Sequence, residues 1–136
     1  MVTQIELTLE PRRRGCHLVT REILSVLPEL KGDGILHLHI KHTSAALTLN
    51  ENADPSVRTD MENFMDVLVP ENHPVYTHVF EGSDDMPAHI KSALFGNSIT
   101  IPITGGRPNL GTWQGIYLCE FRDRGGPRRI VATFLA

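Results

Sequence analysis

The 136 residues predict an α+β fold, one domain spanning residues 1–136, with mainly antiparallel, sandwich-like sheets and about three helices. Three observations carry this expectation. Short stretches of strict apolar–polar alternation recur along the whole chain, helical spacing occurs in only three places, and no helical pattern follows Gly96. A doubly wound parallel sheet fits poorly, because strands and helices do not alternate regularly. No GxGxxG or Walker loop is present, which removes the usual dinucleotide and NTP fingerprints.

The first element is residues 2 to 9, where Ile5, Leu7 and Leu9 oppose Gln4, Glu6 and Thr8, the period of a half-buried strand. Pro11 to Gly15 turns the chain, and Arg12, Arg13 and Arg14 in that turn read as solvated. Gly15 to Val19 predicts a short strand. Thr20 then serves as N-cap of a helix carrying Ile23, Leu24 and Leu27, limited by Pro28 and Gly32-Asp33-Gly34. Residues 35 to 41 alternate again, with Leu36, Leu38 and Ile40 inward. His37, His39 and Lys41 share the other face and read as surface rather than as a metal pair.

A bend at Thr43-Ser44 leads into a strand through about Asn50. Asp54-Pro55 starts a helix running to Val69 and stopped by Pro70, with Val57, Met61, Phe64 and Leu68 as its apolar stripe and Arg58, Asp60, Glu62 and Asp66 as its solvated face. Glu71 to Ser83 is a polar loop, long enough to be functional. Ser83 or Asp84 caps a further helix with Met86, Ile90 and Leu94 inward and Gly96 as its stop. The remaining strands are Asn97 to Ile103, Trp113 to Phe121 and Arg128 to Leu135, separated by a loop at Thr104 to Pro108 and a turn at Asp123 to Gly126.

Composition narrows the function classes. Apolar residues at 40% and charged residues at 21% fit a globular chain, not a disordered one. A formal charge of -3 and a pI near 6.1 give no general attraction to nucleic acid or to anionic membrane. Cys16 and Cys119 lie in apolar surroundings and read as buried thiols. No signal peptide and no long apolar run is visible, so a cytoplasmic location is expected.

Chemistry concentrates in three clusters. The stretch His42 to Asp54 threads an imidazole, hydroxyls, an amide and acids through an apolar alternation. In His78 to His89, Asp85 and His89 stand four apart on one helix face, with His78 and Glu81 on the preceding loop. Imidazole with carboxylate suits a divalent ion, softer as the histidine share rises, although helix capping by Asp84 or Asp85 explains the acids equally well. In Arg107 to Glu120, glycines allow close backbone approach, Arg107 can fork onto phosphate, and Trp113 offers a flat ring; a plain hairpin turn and a core Trp are the alternatives. Glu120 sits inside a strand, so it either pairs with an arginine such as Arg129 or serves a metal or proton transfer. Ser44 beside His42 is a poor nucleophile and base pair, since neighbours two apart seldom meet and no third partner stands out.

The segments His42-Thr43-Ser44-Ala45-Ala46-Leu47-Thr48-Leu49-Asn50-Glu51, Asp54-Pro55, His89-Ile90-Lys91-Ser92-Ala93-Leu94-Phe95-Gly96 and Gly111-Thr112-Trp113-Gln114-Gly115-Ile116 closely resemble the bacterial YjbQ family. The likeness spans almost the whole chain. It implies a homotrimer of sandwich-like subunits and a weak or secondary thiamine phosphate synthase activity, joining hydroxymethylpyrimidine diphosphate to thiazole phosphate with release of pyrophosphate. A divalent metal ion, Mg or Zn, is the implied cofactor and phosphorylated small molecules the implied partners. By the family pattern His42, His78 and His89 are the metal or anion ligands. Catalytic roles fall to His42, Ser44, Glu51 and Asp85, and the same pocket would be lined by Thr43 and Asn50, walled by Trp113 and Gln114, with Arg107 on phosphate. One departure stands out. Many members carry a histidine two residues before the one at position 89, where this chain has Pro87, and an amide is common where Asp85 stands, which favours a carboxylate-assisted site using Asp84 or Asp85 over one built on paired histidines. A binding module without turnover and a metal-dependent phosphohydrolase are the alternative readings of the same residue types.

Overall fold

Alternation within each strand decides how the layers stack. The computed structural model describes residues 1–136 and contains β1 (Val2–Leu9), β2 (Gly15–Leu18), α1 (Thr20–Val26), β3 (Gly34–Ile40), β4 (Ala45–Glu51), α2 (Pro55–Leu68), α3 (Asp85–Phe95), β5 (Ser98–Thr104), β6 (Arg107–Pro108), β7 (Gln114–Glu120) and β8 (Arg128–Leu135). A five-stranded sheet has the order β1-β8-β3-β5-β6 and a three-stranded sheet the order β2-β7-β4. Every strand pair is antiparallel. The fold is the expected α+β sandwich.

The main core lies between the sheets, where Leu36, Leu38, Ile101 and Ile130 of the larger sheet meet Ala45, Leu47, Ile116 and Leu118 of the smaller. Each such aliphatic side chain contributes about 1.5–3 kcal/mol when fully buried. A second, smaller core covers the outer face of the three-stranded sheet: Cys16, Ala46, Tyr117, Cys119 and Phe121 pack with Ala88 of α3 and, in part, Met61 of α2. The order of layers is therefore large sheet, small sheet, helix pair.

Element positions match the sequence expectations to within a residue or two, but several roles differ. Thr20 does not cap α1; its hydroxyl accepts from the Ile116 amide at 2.8 Å, tying the helix to β7. The predicted 104–108 loop is a Gly105-Gly106 hairpin turn with both glycines at positive φ, so β6 adds a short edge strand. In α2 the Asp54 cap forms as expected, its carboxylate accepting from the Ser56 amide at 2.9 Å. Of the apolar stripe of α2, Met61 packs in part against the smaller core, but Phe64 is 63% exposed and Leu68 57%. The charged face of α2 instead supplies acceptors: Glu62 to the Cys16 amide at 2.8 Å, and Asp66, itself exposed, to the buried Lys91 ammonium at 2.6 Å. In α3 the buried side is Asp85, Pro87, Ala88, Lys91 and Ser92 rather than Met86, Ile90 and Leu94. Small side chains let α3 approach Ala45 and Ala46 of β4, and the Ser92 hydroxyl donates to the Ala45 carbonyl at 2.8 Å.

Gly34 opens β3 where that strand is crowded by β8. A Cβ there would collide with the Leu135 carbonyl oxygen and lie 2.8 Å from Phe134 Cε1. Gly34→Ala is expected to destabilise the fold by about 1–3 kcal/mol, as overpacking does, read as a fall in urea midpoint with unchanged slope.

Candidate functional site

The site begins with strand register. Pairing of Ala45 with Glu120 places the residues just before β4 beside those just after β7. This corner receives Thr43 and Ser44 from one side and Arg122 and Asp123 from the other, and the start of α3 lies over it. Asp85, in the first turn of α3, is buried, and its Oδ2 lies 2.6 Å from His78 Nε2 and 3.2 Å from His89 Nε2. Arg122 Nη1 donates to the other oxygen, Oδ1. The two imidazole rings stand edge to face with centroids 5.4 Å apart. His78, Asp85 and His89 each offer one ligand atom, and these atoms lie within 4.8 Å of one another.

Arg122 is the scaffold of the corner. Its Nε donates to Asp84 Oδ2 at 2.9 Å and its Nη2 to the Glu81 carbonyl at 2.9 Å, while the Asp123 amide also donates to Asp84 Oδ2 at 2.9 Å. Asp84 therefore does not cap α3 with its side chain; the guanidinium competes for it. Burial pushes the Asp85 carboxyl upward, but hydrogen bonds and charge from His78, His89 and Arg122 outweigh this and hold it below its ordinary value. Asp84 behaves alike, with burial opposed by the Asp123 amide and Arg122.

The tautomer of His89 follows from its partners. Nδ1 lies 3.0 Å from the Thr43 carbonyl oxygen, which can only accept, so Nδ1 carries a proton. In the neutral ring Nε2 then presents a lone pair to the Asp85 carboxylate. Two lone pairs facing each other need a cation between them, either a proton or a metal ion. A backbone carbonyl holding the far nitrogen of a histidine is also how protein metal sites orient their imidazoles.

His42 stands at the same corner but is engaged differently. Its Nε2 accepts from the Arg129 amide at 2.8 Å, which leaves the proton on Nδ1 of the neutral ring. It shares a groove of about 380 Å³ with Thr43, His89, Ser92 and Asn97. Burial lowers the His42 pKa from 6.5, aided by Arg128, Arg129 and Lys41 and opposed by Glu120. The folded value lies below the unfolded one, so His42 favours folding fully above about pH 6.5 and progressively less as pH falls through that value. His42→Gln, which keeps an acceptor for the Arg129 amide, is expected to flatten the decline of Tm across the histidine range of about pH 8 to 5. An unchanged slope would show that His42 does not carry it.

Other sequence-nominated residues are dispersed. Ser44 accepts from Arg128 Nη2 at 3.0 Å and has no base beside it. Asn50 and Glu51 occupy the opposite end of β4, six residues and roughly 20 Å along the strand. There Glu51 accepts from the Ala53 and Asp54 amides at 3.1 and 3.3 Å, Asn50 donates to the Met61 sulfur at 3.4 Å, and Gln114 accepts from the Gly111 amide at 2.8 Å. Trp113, beside Gln114, is 64% exposed rather than core. Arg107 lines a third place, a groove with Leu30, Gly105 and Gly106 at the far end of β5. The one pocket expected from sequence is thus, within a single chain, three separate places. Glu120 does pair with an arginine, but with Arg128 rather than Arg129: Nε to Oε2 is 2.7 Å and Nη2 to Oε1 is 2.5 Å.

The chain matches the family described as UPF0047 protein YjbQ-like over residues 4–136. The chain belongs to the YjbQ family. The UPF0047 protein YjbQ of Escherichia coli O157:H7 is 54% identical over 132 residues, covering 96% of this chain and 95% of that one. A conserved hypothetical protein from Thermus thermophilus is 32% identical, with a TM-score of 0.82 over 97% of this chain and 99% of its own. A protein of unknown function from Sulfolobus solfataricus P2 is 20% identical with a TM-score of 0.87 over 100% and 98%, which speaks to the YjbQ fold alone. None of these three names carries an activity, so the chemistry of this YjbQ-family chain has to come from its geometry. No helix is long and apolar enough to cross a membrane.

Proposed function

We propose that His78, Asp85 and His89 hold a divalent cation and that the adjoining groove receives a phosphorylated small molecule. The observation that carries this is the His89 Nε2 lone pair facing the Asp85 carboxylate, with Nδ1 fixed by the Thr43 carbonyl. Two imidazoles and one carboxylate favour zinc or another borderline ion over magnesium. Arg128, Arg129 and Lys41, which together with burial lower the His42 pKa, place positive charge at that end of the groove, suited to phosphate. His42 Nδ1–H and the Thr43 hydroxyl are the donors that would orient it. Arg122, already shared by two carboxylates, positions Asp85 and is not itself the phosphate ligand.

The reaction we propose is formation of thiamine phosphate from hydroxymethylpyrimidine diphosphate and thiazole phosphate. A carbon–nitrogen bond forms, a carbon–oxygen bond breaks and pyrophosphate leaves. The cation, when bound, supplies charge opposite the departing pyrophosphate. No nucleophilic side chain is required, in keeping with a Ser44 hydroxyl occupied by Arg128. Purified protein with both substrates and zinc or magnesium should yield thiamine phosphate, and His42→Ala and His89→Ala should abolish it in folded protein. Product no higher than a protein-free blank rejects the synthase. Phosphoester cleavage that disappears in chelator would make the centre a hydrolase, and tight calorimetric binding of pyrophosphate without product would make it a binding module.

We also propose a homotrimer. Phe64, Val67 and Leu68 of α2 and Val75, Val79 and Phe80 of the following loop are all more than half exposed, which supports contact with further copies. A monomer by analytical ultracentrifugation at micromolar concentration would reject it.

A further inference from the structure

Cys16 and Cys119 take no part in the centre described above, yet they are directly opposed in the β2–β7 register. The Val19 amide donates to the Ile116 carbonyl at 2.8 Å, which makes that couple a hydrogen-bonded pair of the ladder. Alternation then makes His17 and Leu118 hydrogen-bonded and Cys16 and Cys119 non-hydrogen-bonded. The Cys16 amide agrees, since it donates to Glu62 Oε1 at 2.8 Å. Non-hydrogen-bonded pairs bring Cα atoms to about 4.5 Å, within the roughly 4.4–6.8 Å that a disulfide spans. Both side chains enter the small core beneath α2 and α3.

The pair is asymmetric. Cys16 lines a cavity of about 120 Å³ together with Met61, Glu62, Lys91 and Phe121, and Cys119 lies behind it. The Cys119 thiol lowers the Cys16 pKa, with help from Arg58 and Lys91 and against burial and the Glu62 carboxylate, while the Cys16 contact and burial push Cys119 well up. The cavity is well above the roughly 10–15 Å³ that a single water needs, and it admits a molecule as small as hydrogen peroxide.

We propose that Cys16 and Cys119 form a peroxide-oxidised dithiol, with Cys16 attacking a peroxide admitted by the cavity and Cys119 resolving the product. The Cys16 thiolate attacks one peroxide oxygen, the O–O bond breaks, and water or an alcohol leaves after taking a proton. The resulting sulfenic acid is attacked by the Cys119 sulfur. The S–S bond forms, the S–O bond breaks, and water departs with the Cys119 proton. Two electrons pass from the two thiols to the peroxide.

The test uses the full chain. Reduced protein is exposed to hydrogen peroxide, quenched, denatured, treated with iodoacetamide and weighed intact. Loss of both alkylation sites in a monomeric species lighter by two hydrogens, reversed by dithiothreitol, is the expected result. Cys119→Ser should accumulate a dimedone-reactive sulfenic acid at Cys16, and Cys16→Ser should leave Cys119 alkylatable. Two alkylatable thiols in wild-type protein after exposure, a bond only between molecules, or stable sulfinic acid in place of the disulfide would each overturn the proposal. The wild-type measurement stands whether or not the variants fold.

Discussion

Metal-free protein titrated with zinc is expected to take up one equivalent per chain, and His78→Ala is expected to weaken that uptake by more than about 100-fold. The magnitude follows because altering a group that merely supports a metal ligand already costs about 10–100-fold in affinity, and in the proposed centre His78 would supply a ligand atom itself. His78 is the cleanest position to change: its side chain is 45% exposed, and its removal leaves Asp85 bound to Arg122. Asp85→Asn removes charge from the metal but also disturbs a carboxylate only 2% exposed, so it tests affinity and folding together. Zinc at about 100 times its Kd should raise stability by about 2.7 kcal/mol in wild-type protein, and this gain should vanish in His78→Ala. Binding should weaken as pH falls, because ligating imidazoles must be free of the competing proton. Calorimetry giving His78→Ala a zinc affinity equal to wild type would leave a proton, not a metal, between His89 and Asp85.

Arg128→Met is expected to lower stability by about 3–5 kcal/mol, which for a chain of this size would lower Tm by about 10 °C or more. Glu120 is 0% exposed and Arg128 is 3% exposed, so losing the guanidinium strands a carboxylate in the core without solvent. The Arg122 amide, 3.0 Å from Glu120 Oε1, is too little compensation for the lost charge. Arg128→Met combined with Glu120→Leu should recover most of the loss, since replacing both partners removes the charge rather than orphaning it. Gly125 closes over the pair, and a Cβ there would lie 2.5 Å from both Arg128 Nη2 and Glu120 Oε1. Gly125→Ala should therefore destabilise in the same direction by a smaller amount. A double variant no more stable than Arg128→Met would mean that lost packing, not stranded charge, dominates.

The candidate centre is half legible before folding. His78, Asp85 and His89 stand out because Asp85 and His89 are four apart on one helix and His78 lies on the loop leading into it, all local relations. Arg122 is not legible: it falls between the strand expected to end at Phe121 and the turn expected from Asp123, and it reaches Asp84 and Asp85 across 38 and 37 positions. The merging of His42 with Asn50, Glu51, Trp113 and Gln114 into one pocket fails in one chain because β4 is an extended strand. Its two ends cannot share a small site whatever their chemistry.

Periodicity determined the elements. Alternation of two specifies a strand and its inward face from a few neighbouring residues, and Asp54-Pro55 or Gly96 mark helix ends through backbone chemistry that needs no distant partner. Tertiary structure alone decided which charges meet. Pairing across a sheet depends on register, and one residue of shift carries a side chain to the other face. That is why Glu120 holds Arg128 and not its neighbour Arg129, why Glu62 and Asp66, on a face that reads as solvated, accept from Cys16 and Lys91, and why the two cysteines, which composition gives only as buried thiols, stand opposite one another.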